Sequence, residues 1–129
     1  MKPTRNRMLL AHERLDAWRV CTELSHEVHV IEKSLRQSGT KERRDTLKLS
    51  SLVAVRCIVE GANALKPAEK ARAFAAARKA VGVVASELEM FRRQGIVSTG
   101  RAAAAFELAG RVTAMLTALI AKFGRMPGG

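Results

Sequence analysis

Apolar residues recur along this chain at steps of three and four, in four separate blocks. The first block runs from about residue 12 to residue 37, with a stripe at Leu15, Trp18, Cys21, Leu24, Val28, Ile31 and Leu35. That spacing predicts a helix with one face in a core. Glu13 and Asp16 near its start and Lys33 and Arg36 near its end complement the helix dipole. Gly39 is the expected stop. The second block starts at Thr40, a candidate N-cap, and reaches about Leu65. It carries two neighbouring stripes: Leu47, Ser51, Ala54, Ile58, Gly61 and Leu65, then Leu52, Val55, Val59 and Ala62. A helix apolar over so much of its girth is expected to be covered on more than one side.

Pro67 opens the third block, where its missing N–H costs nothing, and it pushes Lys66 out of the helical region. Phe74, Ala77, Val81, Val84, Leu88 and Phe91 step 3-4-3-4-3, a seam of coiled-coil type. Gly95 should end this helix in a Schellman turn that folds Ile96 back. Ser98 or Thr99 can cap the fourth block. Its stripe is Ala102, Phe106, Ala109, Val112 or Thr113, Leu116, Leu119 or Ile120, and Phe123. Gly124 and Pro127 close it.

Each block is about 22 to 28 residues, or roughly 33 to 42 Å as helix. Matched lengths and short connections predict an all-α, antiparallel up-down-up-down four-helix bundle. The expected organisation is a disordered basic arm over 1–11, one bundle domain over 12–124, and a disordered tail over 125–129. Trp18 is expected to be largely buried at a helix–helix contact.

Composition agrees with helices. Of 129 residues, 21 are alanine, and the aromatics are four Phe, one Trp and no Tyr, where a sheet favours β-branched and aromatic residues. No apolar run follows the basic N-terminus for long enough to make a signal peptide, and no uninterrupted run approaches the ~20 residues of a membrane helix. A cytoplasmic protein without membrane attachment is the expectation. Cys21 and Cys57 sit among apolar positions and read as small core residues rather than as a disulfide or a nucleophile.

Block three has a second apolar line beside its seam: Ala73, Ala76, Ala80, Val83 and Met90, broken by Glu87. A lone bundle keeps its outer faces polar, so these five residues are the expected contact of a homo-oligomer. Charge adds a second feature. The net charge is +11, of which +9 falls on residues 38–129. Arg72, Arg78, Lys79, Arg92 and Arg93 share one edge of block three. Lys66 and Lys70 stand at its start, and Lys41, Arg43, Arg44 and Lys48 at the start of block two. A field of this sign attracts polyanions. The candidate nucleic-acid-binding set is Lys66, Lys70, Arg72, Arg78, Lys79, Arg92, Arg93, Arg43, Arg44 and Lys48. No zinc finger, RNP aromatic pair or GxxG loop accompanies it, so binding to RNA or DNA is expected through phosphates and without base reading.

Catalytic patterns are weak. Glu23 and His26 form a Glu-x-x-His, the spacing of di-iron bundles, but His12, His26 and His29 all lie in block one, and the second half of such a site is missing. Glu60 lies amid apolar stripes, which predicts a buried carboxylate paired with Arg56 one turn away. No phosphate loop or Ser/His/Asp set is present, so a non-enzymatic protein without metal or cofactor is expected.

His12-Glu13-Arg14-Leu15-Asp16-Ala17-Trp18 resembles the opening of the four-helix-bundle proteins encoded by intervening sequences in bacterial 23S ribosomal RNA genes. Cys57-Ile58-Val59-Glu60-Gly61 resembles that family's Asn-Ile-Ala-Glu-Gly on helix two. Phe74 with Gly82, Ser86, Glu87 and Leu88 resembles its helix-three signature, a Gly-Ser pair before a Glu-Leu-Glu run. Cys57 and Val59 depart from the usual Asn and Ala, Val83 from the Ser after Gly82, and the usual Pro before helix two is missing. The resemblance spans about 12 to 123. It implies an up-down bundle assembled as a pentameric ring, and a fold similar to that of the accessory variability protein of diversity-generating retroelements. That protein binds nucleic acid and a reverse transcriptase through a basic surface. A nucleic-acid-processing protein is therefore a further expected partner. The alternative is a protein–protein interaction scaffold that ignores nucleic acid.

Overall fold

The computed structural model describes residues 9–35 and 40–127. The chain forms a 3-10 turn at Ala11–Arg14 and then α1 (Asp16–Ser34), α2 (Lys41–Asn63), α3 (Pro67–Arg93) and α4 (Thr99–Gly124). No strand occurs among the described residues. Each helix packs on its two neighbours in sequence order, α1 also packs on α4, and the diagonal pairs stay apart, so the four close into the expected bundle. The seam of α3 is its backbone: Phe74, Ala77, Val81, Val84, Leu88 and Phe91 are all buried. They meet Leu24, Val28 and Ile31 of α1, Leu47, Ala54 and Ile58 of α2, and Ala102, Ala105, Val112 and Leu116 of α4 in one core.

The joints follow local chemistry. Lys66 is extended and Pro67 is the first helical residue. At the other end of α3, Gly95 adopts φ +72°. The Gly95 N–H donates to the Arg92 carbonyl at 3.0 Å and the Ile96 N–H to the Phe91 carbonyl at 2.9 Å, the paired bonds of a Schellman turn. Ser98 caps α4 by accepting from the Arg101 N–H at 3.1 Å. Where α2 crosses α3, Gly61 is required by contact rather than by conformation. A Cβ there would lie 2.6 Å from Phe74 Cε1.

Several expectations are corrected. The first helix starts at Asp16, not near residue 12. Leu15 is extended, and the preceding turn closes on itself through the Glu13 carboxylate, which accepts from the Leu10 N–H at 3.0 Å. This break lets His12 stack edge-on against Trp18, with ring centroids 4.9 Å apart. Trp18 itself is partly buried and packs against the core, in keeping with the expectation. Thr40 occupies the N-cap position of α2, but its hydroxyl reaches back to the Leu35 carbonyl at 3.3 Å and so ties the α1–α2 connection. Leu65 lies past the end of α2 and is 93% exposed, because Ala64 has already turned extended. Glu60 is exposed, as is Arg56, and no ion pair joins them. It follows the buried Ile58 by two positions, about 200° around a helix, and so points to water. The first eight residues of the expected arm, the stop at Gly39 and the last two tail residues lie outside the described residues.

Candidate nucleic-acid interface

The heptad register that buries the seam of α3 also orders its outer face. Residues seven apart share a line on such a helix. One exposed line is Ala76, Val83 and Met90, and the next is Arg72, Lys79, Ser86 and Arg93. Val83 is 38% exposed and Met90 45%, considerable exposure for apolar side chains. Ala73 is half-buried. Ala80 departs from the expected contact set, because it is buried within the subunit against α2 and belongs to the core.

α2 supplies the other wall of this surface. Leu49, Val53, Ala76, Lys79, Ala80 and Val83 line an open groove of about 270 Å³ between α2 and α3. Leu49 is 62% exposed and neighbouring Leu52 50%. Leu49 was missing from the sequence-derived contact set. Its signal was an apolar residue standing off both α2 stripes.

The candidate cations divide into three groups. Arg72, Arg78, Lys79, Lys66 and Lys48 are exposed, and none has a carboxylate within ion-pair distance among the described residues. Lys48 sits apart from the α3 set, on a shallow hollow between α1 and α2 that it shares with His26 and His29. A second group is matched by acids. Glu89 accepts from Arg92 Nε and Nη2 at 2.8 and 2.7 Å and from Arg93 Nε at 3.0 Å. These bonds, reinforced by the two positive charges, hold the Glu89 carboxyl down to about 2. Arg43 lies over the Phe91 ring at 4.2 Å, donates to Gln94 Oε1 at 2.6 Å and stands 3.8 Å from Glu87. Arg44, beside it in sequence, is half-buried and has no carboxylate within ion-pair distance among the described residues. Lys70 forms the third group alone. Its ammonium donates to the Gly61 and Ala62 carbonyls at 3.1 and 3.0 Å, which caps the end of α2.

The remaining features point away from α3. Burial pushes the Cys21 thiol up to about 12, and burial followed by the nearby Glu60 charge raises Cys57, so both thiols stay protonated. His26 and His29 are exposed. No group of three or more His, Cys, Asp or Glu gathers for a metal among the described residues. α4 is long and apolar enough to cross a membrane, with a mean hydropathy of 1.4 over its most apolar stretch. Ala102, Ala105, Ala109, Val112 and Leu116 turn one face of it into the bundle core. Its outward residues are mostly small, with Glu107 and Arg111 among them. No family model matches the chain, and no curated protein matches it.

Proposed function

We propose that this protein is a non-enzymatic, homo-oligomeric bundle that binds nucleic acid through phosphates along the outer edge of α3. The observation that carries the reading is the state of Arg72, Arg78 and Lys79. They are exposed and, among the described residues, have no carboxylate within ion-pair distance on a protein of net charge +11, while Arg92 and Arg93 at the far end of the same helix share the Glu89 carboxylate. Phosphate is the polyanion such a row suits, and the attraction weakens with salt. The resemblance to the intervening-sequence bundles points the same way, toward a cytoplasmic pentameric ring.

Self-association is supported by the apolar line of Ala76, Val83 and Met90 and by Leu49 across the groove. The cationic line runs beside it, so a ring would align several such rows and multiply weak contacts through effective concentration. Titration of labelled RNA and DNA at several salt concentrations tests the binding. The expected result is tight binding at low salt that falls steeply as salt rises, and no binding at low salt overturns it. Light scattering tests assembly, with Val83→Glu expected to dissociate the oligomer and leave the bundle helical. A monomer mass for the unmodified protein ends the oligomer reading. The same groove favours the second reading, a docking scaffold for a protein partner, if assembly persists while nucleic acid is ignored.

A further inference from the structure

We infer that the partner of the α3 edge is a nucleic-acid duplex rather than a single strand. This rests on the nucleic-acid reading above and specifies which form of the polymer the site selects.

The first argument is what the surface lacks. Proteins that hold single strands without sequence preference combine cations with aromatic platforms on which bases stack. Here all five aromatic residues are placed elsewhere. Phe74 and Phe91 are buried in the seam, and Trp18, Phe106 and Phe123 are half-buried on α1 and α4. The outward residues between the cations are Ala75, Ala76, Gly82, Val83 and Ser86. None offers a ring to an unpaired base.

The second argument is what the surface offers. With stacking absent, affinity rests on displaced counterions. A duplex carries one charge per about 1.7 Å of axis and returns more free energy per neutralised phosphate than a single strand, in slopes of about 0.9 against about 0.7 per contact. Geometry adds to this. Arg72 and Lys79 stand seven residues apart on one line of a regular helix, about 10 Å at about 1.5 Å per residue. Beyond them the line passes Ser86 and reaches Arg93, whose guanidinium is held by Glu89, so among the described residues the free cations of this line are Arg72 and Lys79. Two cations set at that spacing by a rigid helix complement the regular phosphates of a stiff duplex over about three base pairs, at about 3.4 Å per pair. A flexible single strand must lose chain entropy to meet the same pair.

The test uses the full-length protein and fluorescence anisotropy with three probes: a DNA duplex of about 20 base pairs, the matching RNA duplex, and one component DNA strand. The expected result is that at least one duplex binds about tenfold or more tighter than the strand at equal salt. The double variant Arg72→Ala/Lys79→Ala, with helicity checked by circular dichroism, should lower the duplex salt slope by about 2. A strand that binds as tightly as both duplexes overturns this inference and leaves the nucleic-acid reading standing. Duplex binding with an unchanged slope in the folded double variant overturns the assignment to α3. Absence of binding to all three probes at low salt removes the parent reading and this one with it.

Discussion

The two halves of α3 carry cations in opposite settings. The first half holds Lys70, Arg72, Arg78 and Lys79 against one acid, Glu69. Lys70 is spent on capping α2, and the other three are exposed with no carboxylate within ion-pair distance among the described residues. The second half holds Arg92 and Arg93 against Glu87 and Glu89. There the guanidinium groups converge on Glu89, and Arg43 arrives from α2 to meet Glu87 and Gln94. A count of basic residues therefore overstates the field at one end and describes it fairly at the other. What reaches a ligand is the charge left after local pairing.

Both halves rest on the same inner seam, so the seam is where the comparison breaks most completely. In the second half, Leu88 is fully buried, and Leu88→Ala should cost about 2–5 kcal/mol by lost transfer energy and an unfilled cavity. Denaturant titration measures this, and a smaller loss means that the seam can collapse around the gap. In the first half the sensitive point is Gly61. Gly61→Ala drives a Cβ into the Phe74 ring, which is itself enclosed and lies 6.0 Å from Phe123. The expected cost is about 1–3 kcal/mol. An unchanged stability would show that the ring has room to swing.

The outer face separates the two halves. Arg72→Ala/Lys79→Ala and Arg92→Ala/Arg93→Ala remove equal formal charge. The first pair should lower the salt slope of nucleic-acid binding by about 2, and the second by less, because Glu89 already neutralises part of that charge. Equal effects from the two double variants would erase the distinction between the halves.

The smallest effect concerns Glu89 and pH. Its folded carboxyl is held down to about 2 by hydrogen bonds from Arg92 and then Arg93, against a reference near 4.5. A depressed carboxyl stabilises the folded state above the reference value, and that contribution is lost as pH falls through about 2. The cluster faces solvent, so screening keeps its contribution small. Glu89→Gln should be slightly less stable than the unmodified protein at about pH 6, and the gap should close near the bottom of that window. A gap that persists there would assign the difference to packing rather than charge.

Chain periodicity by itself determined the four helices, their order, the seam of α3 and the turns at Pro67, Gly95 and Ser98. These are local consequences of where apolar side chains fall on a helix and of which residues tolerate a given backbone angle. It also located the basic edge and most of the apolar line beside it. Four things waited on the tertiary structure. Ala80 moved from the outer line into the core because α2 covers it. Glu60 faces water because no neighbouring helix reaches its side of α2. Lys70 turned inward to the end of α2, and Arg92 and Arg93 were matched by Glu89. Periodicity fixes only the angle of a side chain about its own axis. Its exposure depends on how far neighbouring helices reach around that axis, and its free charge depends on which partner lies within a few ångströms. Both are decided only when the helices come together.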